Sequence, residues 1–525
     1  MSCTTLLVGK AASYDGSTIM ARNEDSASGE FDVKNLIVVK PEDQPRTYTS
    51  KISHLTIELP DDPLQYTAMP NVDTKQGIWA EAGVNEANVA MTATETITTN
   101  ARVLGADPLV EYVPAQNGEE AIAGGIGEED MVTLVLPYVR TAREGVLRLG
   151  ELLEQYGTYE MNAIGFSDAD EIWWLESIGG HHWIAKRVPD EAYVTMPNQL
   201  GIDEFDLDDA FGEQEEHLCS SDLLDFIHDN HLDVAVESVS LFNPRMAFGS
   251  HSDSDHVYNT PRAWYMQRYF NPYDEVWDGE DADVRPNSDD IPWCRQPDRK
   301  ITIEDVQYIL ASHYQETPYD PYGHRGSEQT RGMFRHIGIN RTNQLAVLQI
   351  RPYRPQSNRA IQWVSFGDGT FNALLPMFPN VDTMPEYVSN ATLTPSTNNI
   401  YWADRIIAAL CDANYAQTQQ TVASYQEKVG GIAHHLIQVA DEQVDDLDTN
   451  EIREIGIDEE ESLDVQPMKP EAIIEAVRNE KVRRALEQVN ETMAAQAKTE
   501  TDKLLNSVLY TASMNMRDSF SMNDF

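Results

Sequence analysis

Cys3 stands where packing is hardest to secure, because the first residues of a chain fray. A cysteine suits nucleophilic attack, provided that a base or a nearby cation holds it as the thiolate. The runs Thr4–Val8 and Ser17–Ala21 predict two strands, and Lys10-Ala-Ala-Ser-Tyr-Asp-Gly16 turns the chain between them. With the turn centred between Ser13 and Gly16, antiparallel pairing sets Cys3 opposite residues 24–28. That end of the hairpin carries Arg22, Asn23 and Asp25. Arg22 would favour the thiolate, and Asp25 would hold an ammonium. Three apart on a strand, Arg22 and Asp25 face opposite sides. Both reach Cys3 only if the strand ends or bulges between them.

Removal of Met1 and Ser2 would make Cys3 the first residue, with a free α-amine. Such an amine has an ordinary pKa of about 7.7–8.0. It can act as general base near neutral pH within the same residue as the thiol, so no histidine is needed.

Cys3-Thr-Thr, Gly16-Ser-Thr and Ala21-Arg-Asn-Glu-Asp25 together resemble the PepD-like cysteine dipeptidases. These are N-terminal nucleophile hydrolases, similar to the bile-salt hydrolases and penicillin V acylases. The resemblance extends over roughly residues 3–435. Gly83-Val-Asn-Glu-Ala-Asn-Val89 is similar to the family's G-x-N-E-x-G-L loop, which implies an oxyanion-hole role for Asn85. Asn88 replaces the second glycine, and asparagine tolerates the left-handed conformation. Val194-Thr-Met-Pro-Asn198 resembles the family's strand-end asparagine, implying that Asn198 is a second polar group near the nucleophile. Tyr258-Asn-Thr-Pro-Arg-Ala-Trp264 resembles the segment bearing the last active-site arginine, here Arg262. Thr317-Pro-Tyr-Asp-Pro321 is similar to the dipeptidases rather than the acylases.

The resemblance implies an α+β fold, specifically a four-layer αββα sandwich. It implies a cysteine-type dipeptidase that cleaves small unmodified dipeptides through a thioester on Cys3, with no metal or cofactor, in a homo-oligomer. Loss of Met1 would still leave Ser2, so a second cleavage, autocatalytic in this reading, must be assumed. Two other readings stay open: an acylase of linear or cyclic amides, and an inactive acidic scaffold. The joint presence of Cys3, Arg22, Asp25, Asn85, Asn198 and Arg262 argues against the scaffold.

The elements that must position these residues are legible in outline. A second hairpin is expected from Gly77–Glu81 and Val89–Ala93, with its tip at 83–88. Glu128–Tyr156 reads as helix, kinked or split by Pro137. Ala163–Ser167, Glu171–Glu176 and His182–Arg187 form a strand meander, and Ala192–Met196 is a further strand. Ser221–Asn230 and Arg262–Phe270 look helical. Phe334–Asn340 with Leu345–Ile350 reads as a hairpin, followed by a strand at Ile361–Phe366. Asn399–Val429 reads as a long helix. Antiparallel hairpins with interleaved helices indicate α+β rather than a doubly wound sheet. The division expected is a hydrolase domain over 1–440, an acidic linker or loop over 441–469, and a helical extension over 470–525.

Composition limits the partners. With 87 acidic and 38 basic residues the formal charge is −49, which disfavours nucleic acid and anionic membranes. The four cysteines are far apart and form no CxxC, which excludes a zinc ribbon and disfavours a disulfide framework. His251-Ser-Asp-Ser-Asp-His256 is read as a polar loop rather than a metal site. No basic segment followed by an apolar core opens the chain, and no apolar run approaches about 18 residues. The expected compartment is the cytoplasm.

Overall fold

The apolar stretches after Cys3 and before Arg22 place the first two strands inside a sheet. The computed structural model describes residues 2–236, 241–454 and 470–518. In it, β1 (Ser2–Val8) pairs antiparallel with β2 (Thr18–Asp25), setting Cys3 opposite Glu24 and Val8 opposite Ile19. The pairing falls within the expected register, and β2 continues four residues past Ala21. Gly16 supplies the left-handed φ of 86° in the turn. Asp15 closes the turn by accepting from the Ser17 N–H and hydroxyl.

These strands sit near the middle of a seven-stranded sheet. Its order is β14 (Cys294–Arg295), β12 (Tyr193–Met196), β1, β2, β15 (Thr342–Ile350), β16 (Ala360–Phe366) and β17 (Leu375–Met377). A six-stranded sheet runs β13 (His217–Cys219), β11 (Trp183–Arg187), β10 (Ile172–Ser177), β9 (Asn162–Ser167), β8 (Ala90–Thr96) and β7 (Ala82–Val84). Two ribbons, β3 (Ile37–Val39) with β6 (Tyr66–Ala68) and β4 (Thr47–Thr49) with β5 (Thr56–Glu58), complete the strands described. All these ladders are antiparallel.

The two large sheets approach closely at Gly165. A Cβ there would lie 3.0 Å from Met20 Sδ and 3.6 Å from Leu7 Cδ2, so a larger residue would press on the facing strands. The helix Ala142–Tyr156 covers β9, β10 and β11. The helix Ile400–Asp412 packs on β16, and the helices Tyr415–Glu454 and Pro470–Met514 pack on β17. The chain is thus mixed α and β, with antiparallel sheets and a helical C-terminal part. No helix among the described residues is long and apolar enough to cross a membrane.

Four sequence expectations are corrected. Residues 77–81 are not a strand, because Trp79 and Glu81 adopt left-handed φ values of 53° and 61°. Phe334–Asn340 forms no strand; β15 pairs instead with β2 and β16. The helix expected over Asn399–Val429 is interrupted at Ala413–Asn414, and the second helix then runs to Glu454. That extension replaces the first part of the expected acidic linker, while residues 455–469 lie outside those described. The acids stay helical because Asp441 pairs with Arg351 at 2.8 Å and Asp445 with Arg354 at 2.9 Å, while Val444 is buried.

The Pro470–Met514 helix is no appendage. Val482, Leu486, Val489, Met493 and Ala497 form a buried stripe at helical spacing. Asn490 takes both backbone groups of Phe378, accepting at 2.9 Å and donating at 3.0 Å, much as a neighbouring strand would.

Candidate active site

β2 is buried along its whole length, yet its second half reads Arg-Asn-Glu-Asp. Polar side chains removed from water must find partners inside. Strand alternation sends Arg22 and Glu24 to one face and Asn23 and Asp25 to the other. Cys3, opposite Glu24, shares the face of Arg22.

On that face Arg22 Nη2 donates to Cys3 Sγ at 2.7 Å. Its Nη1 bonds Glu81 Oε2 at 2.5 Å, and Glu128 lies 3.7 Å away. Lys34 bonds Glu24 at 2.9 Å, approaches Glu81 at 3.8 Å and donates to the Trp79 carbonyl at 3.0 Å. Gln344 and Asn343 complete the partners of Glu24 at 2.8 and 3.1 Å. The result is a chain of alternating sign from thiol to Arg22, Glu81, Lys34 and Glu24, its charged side chains at most 2% exposed. Burial, with Glu24 nearby, pushes the Glu81 carboxyl well up against the pull of Arg22 and Lys34. The uncommon backbone at Trp79 and Glu81 brings a carbonyl and a carboxylate to this network.

On the opposite face Asp25 accepts from Arg335 and, at 2.5 Å, from the Thr342 hydroxyl. β2 stays paired with β1 through Asp25; the irregularity lies across from it, between Thr342 and Gln344 of β15. Asp25 therefore does not share the thiol's face. It stands directly opposite Ser2, beside the peptide bond that precedes Cys3.

Asn198 arrives by continuation of β12. That strand pairs with β1 from Thr5 opposite Met196, so the residue two further on lies beside Cys3. Its Oδ1 accepts from the Cys3 N–H at 3.1 Å and from Arg262 Nη2 at 2.9 Å, while its Nδ2 donates to the Thr96 carbonyl at 3.0 Å. Arg262, on the helix Thr260–Phe270, also donates to the Cys3 carbonyl, to Thr4 Oγ1 at 2.8 Å, to Asn259 Oδ1 at 2.7 Å and to the Tyr258 carbonyl at 2.9 Å. Its guanidinium is fully buried and fixes the main chain of Cys3.

Asn85 is placed differently. Its Nδ2 donates to the Leu136 and Val139 carbonyls, each at 2.8 Å, and its Oδ1 accepts from the N–H groups of Ala87 and Val89. The amide hydrogens that an oxyanion role requires are engaged in anchoring its own turn. Asn88 in that turn has the left-handed φ expected of it, 59°.

The structure thus joins Cys3, Arg22, Asn198 and Arg262 by direct hydrogen bonds, sets Asp25 one strand position away, and holds Asn85 in a separate network. The other cysteines lack such surroundings. Burial pushes the Cys219 thiol up to about 12 and those of Cys294 and Cys411 up to about 11, which leaves them protonated and unreactive. Glu24, Lys34, Glu81, Glu128, Arg335 and Thr342 were not singled out from sequence. Glu24 was legible through the hairpin register; the others come from distant segments with no motif of their own. Beside Asn198 a cleft of about 670 Å³ opens, lined in part by Thr96, Ser250, Tyr258 and Arg341.

A family model described as peptidase family C69 matches residues 2–428. A protein named dipeptidase from Bifidobacterium longum is 66% identical across the full length of both chains. A probable dipeptidase A from Streptococcus pyogenes is 51% identical, again over the whole of both. Dipeptidase A of Lactobacillus helveticus is 45% identical over 86% of this chain and 90% of its own. With most of its length matched by the family model and an arginine-held cysteine at the start of its central hairpin, the chain belongs to peptidase family C69.

Proposed function

We propose that this chain is a cysteine-type dipeptidase whose nucleophile is Cys3, exposed as the N-terminal residue by removal of Met1 and Ser2. The observation that carries the reading is the 2.7 Å contact between Arg22 Nη2 and Cys3 Sγ, with the Cys3 nitrogen 3.1 Å from Asn198 Oδ1. The dipeptidase names of full-length relatives support the substrate class. The paired sheets flanked by helices are compatible with the four-layer sandwich of N-terminal nucleophile hydrolases.

In this reading the cut falls between Ser2 and Cys3, and Asn198 keeps hold of the nitrogen that becomes the α-amine. Asp25, across from the vacated position, balances the amine when it is protonated. The amine takes the thiol proton, Arg22 stabilises the thiolate, and sulfur attacks the peptide carbonyl. Asn198 Nδ2 is assigned to the oxyanion; removing one such donor typically costs about 10²–10³ in rate. Asn85 supports the site by shaping its turn. The α-ammonium returns its proton to the leaving amine, and water then hydrolyses the thioester.

Intact mass and N-terminal sequencing of the purified protein, followed by dipeptide assays, test the proposal. A chain beginning at Cys3, active and silenced by Cys3→Ala, is the expected result. Full activity in a chain that retains Ser2 would overturn the α-amine as base.

A further inference from the structure

We infer that Arg341 binds the free α-carboxylate of the substrate and so favours peptides with a free C-terminus over their amides. This rests on the dipeptidase reading above and deepens it.

Arg341 is the one cation among the described residues lining the cleft beside Asn198. Its Nη1 donates to the Ser26 carbonyl at 3.0 Å and its Nη2 to the Tyr258 hydroxyl at 2.6 Å. Two partners leave part of a five-donor guanidinium for a ligand, and a carboxylate matches the fork. The arginine makes no ion pair among the described residues. The cleft's carboxylate, Asp255, does not neutralise it: Asp255 Oδ2 accepts from Ser250 and Ser252, and Oδ1 from Asn259. The rest of the named lining consists of hydroxyls, amides, Tyr258 and Ala27. In a chain of formal charge −49, a peptide carboxylate is repelled by most of the surface, so a local cation decides where it can settle.

The cleft adjoins the Cys3 hairpin. Ser26 follows Asp25, and Glu24 is the residue across from Cys3. Two strand positions separate Ser26 from Glu24, roughly 7 Å at about 3.3–3.4 Å per residue. A carboxylate held at Arg341 therefore lies within a residue or two of Cys3, in the cleft that Asn198 also lines.

The test compares L-alanyl-L-alanine with its C-terminal amide, using the processed wild-type enzyme, Arg341→Met and Arg341→Lys. The wild type should favour the free acid by about 10- to 100-fold in kcat/KM, the range of a charge-assisted hydrogen bond. Arg341→Met should lose most of that preference, chiefly through a raised KM for the acid, and Arg341→Lys should recover part of it. An equal loss on acid and amide in Arg341→Met would assign the residue a structural role and overturn the inference, as would an unchanged preference. Failure of the wild type to cleave either compound would overturn the dipeptidase reading itself.

Discussion

Charge is buried in two ways in this molecule. Beside Cys3 the signs alternate, Arg22 to Glu81 to Lys34 to Glu24, and each ion has a partner of opposite sign. At Glu129 and Asp130 the neighbours are hydroxyls. Glu129 accepts from Ser50 at 3.0 Å and Tyr159 at 2.6 Å, and Asp130 accepts from Tyr48 at 2.5 Å. Burial pushes Glu129 up to about 7 and Asp130 up to about 6. The hydroxyl-bonded acids are tolerated by taking up protons near neutrality. In the alternating chain burial pushes Glu81 up as well, but Arg22 and Lys34 pull against it and a cation stays on the thiol. Buried ion pairs rarely add net stability over apolar packing, so this cluster is better explained by what it holds than by what it contributes to folding.

The most direct way to break the contrast is Arg22→Gln. It removes the cation from Sγ and leaves Glu81 and Glu128 buried without it. A loss of about 10²–10³ in kcat/KM is expected from the missing electrostatic support. Stripping one partner from a buried pair should also cost about 3–5 kcal/mol. Urea unfolding beside steady-state assays separates the two effects. Full activity in a destabilised Arg22→Gln chain would show the cluster to be structural after all.

How this site was legible in sequence follows from distance along the chain. The Cys3–Arg22 contact is local to one hairpin, so pairing arithmetic from its turn brings the two residues to the same end. Opposite faces for Arg22 and Asp25 also followed from strand alternation, and β2 proved regular enough to keep them apart. Lys34 and Glu81 were hidden because nothing in K-N-L or W-A-E-A announces a buried ion; only the folded chain brings them together. Asn85 shows the converse. Its motif was visible, but Leu136 and Val139, which take its amide hydrogens, lie more than fifty residues away. The acidic stretch after Ala440 resembles a solvated linker in sequence for the same reason: Arg351 and Arg354, which pair Asp441 and Asp445, are distant along the chain.

The hydroxyl-bonded pair sharpens the comparison through pH. Because the folded pKa values of Glu129 and Asp130 are raised, the native state binds more protons than the unfolded chain between about pH 4 and 7. Stability from this pair is therefore greatest below that window, falls as pH rises through about 6 to 7, and levels off beyond. The two acids together should contribute a loss of about 2–4 kcal/mol between pH 5 and 8. Glu129→Gln combined with Asp130→Asn should flatten that part of the profile, read as the shift in urea midpoint between the two pH values. An undiminished slope in the double variant would move the proton uptake elsewhere.

Asp404 isolates the same physics in a single side chain, with the smallest expected effect at pH 5. It is fully buried on the Ile400–Asp412 helix. Burial pushes its carboxyl well above the usual range, and only the Phe366 backbone pulls the other way. Among the described residues no cation answers it, in contrast to Glu24 beside Lys34. Protonated, it is close in shape and charge to an asparagine, so Asp404→Asn should be within about 1 kcal/mol of wild type at pH 5. As pH rises the wild type must either keep a proton that the solvent favours removing, at about 1.4 kcal/mol per unit, or bury a bare charge. The asparagine bears neither cost, so the variant should become the more stable protein at pH 8, with a lead that widens as pH rises from 5. A variant less stable than wild type at pH 8 would mean that the ionised carboxylate has a compensating partner, and that this region follows the paired logic of the Cys3 cluster.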